Sequence, residues 1–172
     1  HVFFTIIVKP GSWRSEYKGN ADFKQTILML IAMLPAGMVG LMLRDQISNL
    51  FSEPAMVSIA LFFTGSMLLS TKFFTKGDKA IDMKRAILIG LAQALALVPG
   101  ISRSGSTISM ALATGVKQEQ AARFSFIMVL PLIIAATVLE FRDLLEMGIT
   151  GDESIILGIG LVISFIVGYV SL

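Results

Sequence analysis

An all-α membrane fold, polytopic and containing a re-entrant helical hairpin, is what this sequence predicts, and three observations predict it. The mean hydropathy is +0.80, and 55% of the 172 residues are hydrophobic against 15% charged, outside the range of a soluble globular domain. Several apolar runs have the length of a bilayer-crossing helix, which is roughly 20 residues. One further apolar stretch is interrupted by a compact polar segment, Pro99 to Thr107. The expected organisation is a single membrane domain over residues 1–172, truncated at both ends, with the hairpin at about 86–115.

In chain order, Val2 to Val8 is apolar but far too short to span, and reads as the tail of a helix that begins upstream. Phe23 to Leu43 and Ala55 to Phe74 are each long enough to cross at 1.5 Å per residue. Phe124 to Glu140 is shorter and carries Pro131, while Ser154 to Leu172 is spaced with glycines, as in closely packed membrane helices. Both are expected to span. In between, Ala86 to Val98 and Ile108 to Thr114 flank the polar segment. Neither can cross alone, since even the longer would reach only about 20 Å as a helix. Irregular backbone at membrane depth is tolerated where it is buried in protein or lines a wet cavity, which makes re-entry the economical reading.

Charge sets the expected orientation. Lys9, Arg14, Lys18 and Lys24 precede the first span, and Lys72, Lys76, Lys79, Lys84 and Arg85 follow the second, with Arg44 alone between them. The two basic loops are expected in the cytoplasm. If the hairpin returns to its side of entry, Lys117 and Arg123 are cytoplasmic too, and the loop with Asp143, Glu146, Asp152 and Glu153 lies outside. The net charge of +2, in clusters without interleaved aromatics, gives no footprint for nucleic acid. The absence of Cys excludes disulfides and thiolate chemistry, and the 10 Met suit helix packing.

Two runs resemble each other internally: Ile31 to Pro35 leading to Arg44-Asp45, and Ile127 to Pro131 leading to Arg142-Asp143. A repeat and a shared composition of two Pro-containing membrane helices both account for this. Asp78, Asp82, Asp143, Glu146, Asp152 and Glu153 have no metal-ligand spacing and read as solvated loop charge. Glu140 closes an apolar run and reads as interfacial, and Lys76 to Arg85 can touch anionic lipid heads.

The polar segment has the makings of a phosphate site. Pro99 ends the incoming helix, and Gly100 and Gly105 allow tight turns or close backbone approach. Ser102, Ser104, Ser106 and Thr107 ahead of the apolar run from Ile108 form the pattern of a helix N-terminus, whose unpaired N–H groups and dipole favour an anion. Arg103 adds a permanently charged fork suited to phosphate oxygens. The plainer alternative is a surface loop whose serines cap a helix. No nucleotide-binding lysine accompanies the glycines, so ATP and GTP are not indicated.

The run Gly90-Leu91-Ala92-Gln93-Ala94-Leu95-Ala96-Leu97-Val98-Pro99-Gly100-Ile101-Ser102-Arg103-Ser104-Gly105-Ser106-Thr107-Ile108 closely resembles the second signature of the bacterial undecaprenyl-diphosphate phosphatases, the bacitracin-resistance family. Ala121 to Phe126, followed by Pro131, is similar to that family as well. The resemblance implies a multi-pass enzyme of the bacterial plasma membrane. That enzyme hydrolyses undecaprenyl diphosphate to the monophosphate, recycling the lipid carrier of peptidoglycan synthesis in cell-wall biogenesis and giving bacitracin resistance. It also implies an inverted-repeat fold with two re-entrant hairpins, and a divalent cation, Mg or Ca, as cofactor.

Carried onto this sequence, the resemblance makes Arg103 the diphosphate-binding base, with Ser102, Ser104 and Thr107 as catalytic hydroxyls and Gly100, Gly105, Ser106 and Gln93 as substrate-binding residues. Gln93 reads equally well as a polar residue satisfying neighbouring helices. The family's other signature, a Glu-rich half-helix with a Ser-Ser turn and a His, has no match in His1 to Lys24. This chain is therefore expected to carry half of an active site and to be inactive alone, with the cation's ligands elsewhere. A transporter or flippase of phosphorylated polyprenyl lipid is the alternative, a non-catalytic subunit a third reading, and a homo-oligomer is left open.

Overall fold

The structure is a computed structural model that describes residues 21–74, 77–148 and 151–171. The expectations for His1, Val2 to Val8, Lys9, Arg14, Lys18, Lys76 and the side chains of Asp152 and Glu153 lie outside the described residues. Among the described residues there are seven α-helices, in the order α1 (Ala21–Met42), α2 (Arg44–Leu50), α3 (Pro54–Ser70), α4 (Met83–Leu95), α5 (Arg103–Ala113), α6 (Gln118–Met147) and α7 (Gly151–Val170). A 3-10 turn, Thr71–Phe73, extends α3. No strand occurs among the described residues, only an isolated parallel bridge between Lys79 and Val116.

Among the described residues, three helices are long and apolar enough to cross a membrane: Phe23–Met42, Pro54–Phe73 and Gln118–Glu146. Their outward surfaces carry large apolar side chains, with Phe62 80% and Ile134 64% exposed, which suits a lipid solvent and would be a liability in water. The protein is thus an all-α polytopic membrane protein. The apolar part of α7, Ser154–Val170, is shorter than these three.

Boundaries differ from expectation where polar residues continue a helix. The expected Phe124–Glu140 span is the middle of a 30-residue helix, and Pro131 lies inside α6 rather than ending it. Most of the acid-rich loop is therefore helical: Arg142 and Glu146 pair at 2.8 Å one turn apart on α6. Pro35 is likewise accommodated inside α1. Asp82 is not merely solvated charge, because its carboxylate accepts the backbone N–H of Arg85 at 2.9 Å and caps α4.

The chain divides into two compact units, His1–Leu132 and Ile133–Leu172. The second consists of the end of α6 together with α7, and its large apolar side chains are exposed. The first contains the core. Leu28, Met29 and Ala32 of α1, Ala86 and Ile89 of α4, Ala111 of α5, and Ala121, Phe124 and Met128 of α6 are all buried in one cluster. Lipid is as apolar as leucine, so this core gains from close packing rather than from escaping water. Closeness is greatest between α1 and α4, where a Cβ built on Gly90 would lie 2.3 Å from the carbonyl oxygen of Ala32. Only glycine allows the two backbones to approach this far.

The segment Ala86 to Gly115 is a hairpin of two short helices, α4 and α5, packed against each other and against α1 and α3. At its far end the N–H of Gly115 bonds the carbonyl of Leu112 (2.9 Å) and that of Val116 the carbonyl of Ala111 (3.0 Å). This is a Schellman closure, and it places the fully buried Val116 beside Ala111 in the core. Lys79 N–H then bonds the Gly115 carbonyl at 3.0 Å, tying the end of α5 to the segment that enters α4.

Candidate anion site at the tip of the hairpin

The bend between α4 and α5 begins with Pro99 and Gly100. Ile101 N–H closes a β-turn on the Val98 carbonyl at 3.1 Å, and Gly100 has φ +94°. Pro followed by Gly at the two central positions, with positive φ at the second, is the signature of a type II turn. The turn is seated on α3, for a Cβ on Gly100 would lie 2.6 Å from the carbonyl oxygen of Val57. A residue that sequence reasoning passed over holds it there. The buried Thr64 of α3 donates its hydroxyl to the Gly100 carbonyl (2.9 Å) and accepts the Ser102 N–H (3.1 Å). The signal available was a hydroxyl in the middle of an otherwise apolar span.

Helix α5 starts at Arg103, five residues ahead of the apolar run at Ile108, so the segment read as a turn is in large part the first turns of a helix. Ser102 is the N-cap, its hydroxyl oxygen accepting the Gly105 N–H at 3.1 Å. The Ser102 carbonyl accepts both the N–H (2.8 Å) and the hydroxyl (2.9 Å) of Ser106. Thr107 donates to the Arg103 carbonyl at 2.9 Å and approaches that of Ser104 at 3.3 Å. The buried hydroxyls of Ser106 and Thr107 therefore spend their protons inside the helix and keep only acceptor capacity. Gly105 faces protein as well: a Cβ there would meet the Ser102 side chain at 3.0 Å and Leu68 at 3.3 Å.

What remains for a ligand is compact. The N–H groups of Arg103 and Ser104 open the helix with no carbonyl one turn back, and Ser104 is exposed. Arg103 is half-buried, and its Nη1 is buried without a hydrogen-bond partner among the described residues. A cationic donor taken out of solvent and left unpaired is costly, and an anion relieves that cost. Gln93, also expected at the site, is 1% exposed on α4, and both its amide atoms lack partners among the described residues. No hydrogen bond among those residues joins it to the Arg103 turn. The described residues contain no group of three or more His, Cys, Asp and Glu able to hold a metal, so by themselves they do not fit a divalent cation.

A polytopic helical membrane protein with a cation and an open helix N-terminus at the tip of an interior hairpin is the class that fold and site define. The chain belongs to the bacitracin resistance protein BacA family, whose profile matches residues 2–172. It is 36% identical over 156 residues to the undecaprenyl-diphosphatase of Salinibacter ruber, covering 91% of this chain and 57% of that protein. It is 41% identical over 130 residues to undecaprenyl-diphosphatase 1 of Bacillus licheniformis, covering 74% and 48% respectively. A third relative, the undecaprenyl-diphosphatase of Alkaliphilus metalliredigens, is 36% identical over 169 residues, with 96% and 62% covered. The chain thus spans about half to three-fifths of the length of these curated relatives.

Proposed function

We propose that the protein hydrolyses undecaprenyl diphosphate to undecaprenyl phosphate and inorganic phosphate in the bacterial plasma membrane, with this chain carrying the diphosphate clamp. The observation that carries the reading is the Nη1 of Arg103 at the opening of α5, buried and without a hydrogen-bond partner among the described residues. The names of the relatives supply the substrate.

In this reading the guanidinium of Arg103 forks onto phosphate oxygens, and the N–H groups of Arg103 and Ser104 bind the same group along the helix axis. The exposed Ser104 hydroxyl adds a movable donor. When water attacks phosphorus and the P–O–P bond breaks, negative charge grows on the bridging oxygen that leaves. Donors already fixed in place stabilise that charge without reorganising. Ser102 and Thr107 hold the donors by capping and bracing the first turn. The Mg or Ca ion implied by the family resemblance would supply further charge neutralisation. Its carboxylate ligands would come from outside the described residues.

The test is phosphate release from undecaprenyl diphosphate by the full-length protein and by Arg103→Ala. The substitution is expected to lower kcat/KM by about 100-fold or more, the scale of losing one preorganised donor set. Unchanged hydrolysis would remove Arg103 from the clamp. Transbilayer movement of the lipid with no phosphate released would favour a flippase.

A further inference from the structure

Helix α5 is tied to other elements at both ends. At the tip its N-cap, Ser102, is fixed to α3 through Thr64. At the base, 11 helical residues further on, or about 16 Å, the tie is Arg85. Its Nε–H donates to the carbonyl of Thr114, the C-cap of α5, at 3.2 Å. Asp82 holds the same guanidinium elsewhere: Nη1 pairs with Asp82 Oδ2, while Asp82 Oδ1 accepts the Arg85 N–H at 2.9 Å. The Arg85 side chain is 20% exposed, so it lies largely within protein with two of its nitrogens engaged. One planar group thus joins the N-cap of α4 to the C-cap of α5.

The last turn of α5 carries no basic residue of its own, so a cation favoured by its closing carbonyls comes to it from α4. Lys79 bonds further out, its N–H reaching the carbonyl of Gly115 beyond the cap. Arg85 grips the cap itself. A helix axis is fixed by two points, and the opening N–H groups of Arg103 and Ser104 point along it, so the direction of the axis is their aim. Releasing the base by about 3 Å turns an axis of this length by roughly 10°, the near edge of the 10–20° within which a preorganised donor stays productive.

We propose that Arg85 is a positioning residue for the anion site: acting through α5, it holds the helix axis so that the donors at the opening stay aimed at the phosphate. Arginine is required rather than lysine, because a flat fork meets a carbonyl and a carboxylate in one fixed geometry and an ammonium on a flexible stem does not. The reaction that Arg85 serves rests on the diphosphate reading; its hold on α5 does not.

Hydrogen exchange and phosphate release, measured on the full-length protein and its Arg85→Gln, Arg85→Lys and Asp82→Asn variants, test this. In Arg85→Gln, peptides spanning Ser102 to Thr107, where the Gly105 and Ser106 N–H groups bond Ser102, are expected to exchange about threefold faster or more. Its kcat per folded molecule should fall about three- to tenfold with KM within about twofold, the mark of misaimed donors rather than of lost protein. Arg85→Lys should match Arg85→Gln in both measurements. Asp82→Asn, which loosens the tie without removing it, should show the same two changes at smaller size, and it serves if an Arg85 variant fails to fold. Faster exchange confined to peptides around Thr114, with the tip unchanged, makes Arg85 a local cap and overturns the proposal. Full activity in Arg85→Lys overturns it as well, since charge alone would then suffice. A wild type that releases no phosphate overturns the diphosphate reading instead, and exchange at the tip still decides the coupling of Arg85 to the opening of α5.

Discussion

The hydroxyl of Thr64 accepts the backbone N–H of Ser102 at 3.1 Å across 38 residues of chain, while giving its proton to the carbonyl of Gly100 at 2.9 Å. One side chain on a spanning helix thus satisfies a donor and an acceptor on the two sides of Ile101. Thr64→Val keeps the shape but leaves both backbone groups without that partner. Each buried unpaired group costs about 1–3 kcal/mol, so the variant is expected to unfold earlier in a detergent and urea titration. The rate of the proposed phosphate release should also fall. Thr64→Ser, which keeps the hydroxyl, should restore most of both.

Gly90→Ala is expected to separate α1 from α4, because the added carbon would collide with the Ala32 backbone at 2.3 Å. Overpacking of this kind costs about 1–3 kcal/mol. Gly37→Ala is the matched control, since a Cβ there meets nothing within 4 Å, and it should leave the unfolding midpoint unchanged or raised. Equal midpoints for the two variants would show that the α1–α4 contact is not tight.

Gly100→Ala meets two obstacles at once, a φ of +94° and the Val57 carbonyl oxygen at 2.6 Å. The strain alone is worth about 1–3 kcal/mol. The turn is expected to relax away from α3, so the proposed phosphate release should drop by more than the loss of folded protein explains. Comparing specific activity per folded molecule with the thermal midpoint checks this.

Asp82 gives a pH dependence whose sign follows from its contacts. The Arg85 N–H, and then the Arg85 charge, hold the Asp82 carboxyl below the usual aspartate range, with desolvation opposing them. A carboxyl depressed in the folded state contributes stability that is fully present above its unfolded value and is lost as pH falls through the folded one. Stability should therefore decline below the ordinary aspartate range, and Asp82→Asn should flatten that part of the curve. A stability profile from neutral to strongly acidic pH, measured on both proteins, checks it. Identical acid limbs would assign the dependence to other groups.

Apolar length was legible because hydrocarbon thickness leaves little choice, and Phe23 to Leu43 ends within one residue of the helix found. The hairpin was legible for the same reason in reverse, both halves being too short. Helix ends were less so. Polar residues such as Gln118, Arg142 and Glu146 continue α6 beyond its apolar run, and composition alone reads them as loop. Within the site, the type of each residue pointed correctly to a helix N-terminus, but the start at Arg103 depended on Ser102 acting as cap. Thr64 was hidden because its partners are backbone groups elsewhere in the chain, which leave no mark on neighbouring sequence. Gln93 was visible as polar, yet its burial, with neither amide atom partnered among the described residues, emerges only from packing.

Ser102 answers to two demands at once. Its N–H goes to Thr64, its hydroxyl oxygen to Gly105 and its carbonyl to Ser106, so the hydroxyl proton is what it has left to give a ligand. A position constrained from both sides has a narrow mutational neighbourhood: threonine keeps the oxygen, the proton and the extended backbone preference, whereas alanine loses the first two. Lipid-facing positions, by contrast, exchange one apolar residue for another almost freely. The motif stands out in the sequence because information collects where one residue must serve the fold and, in the proposed function, the ligand together.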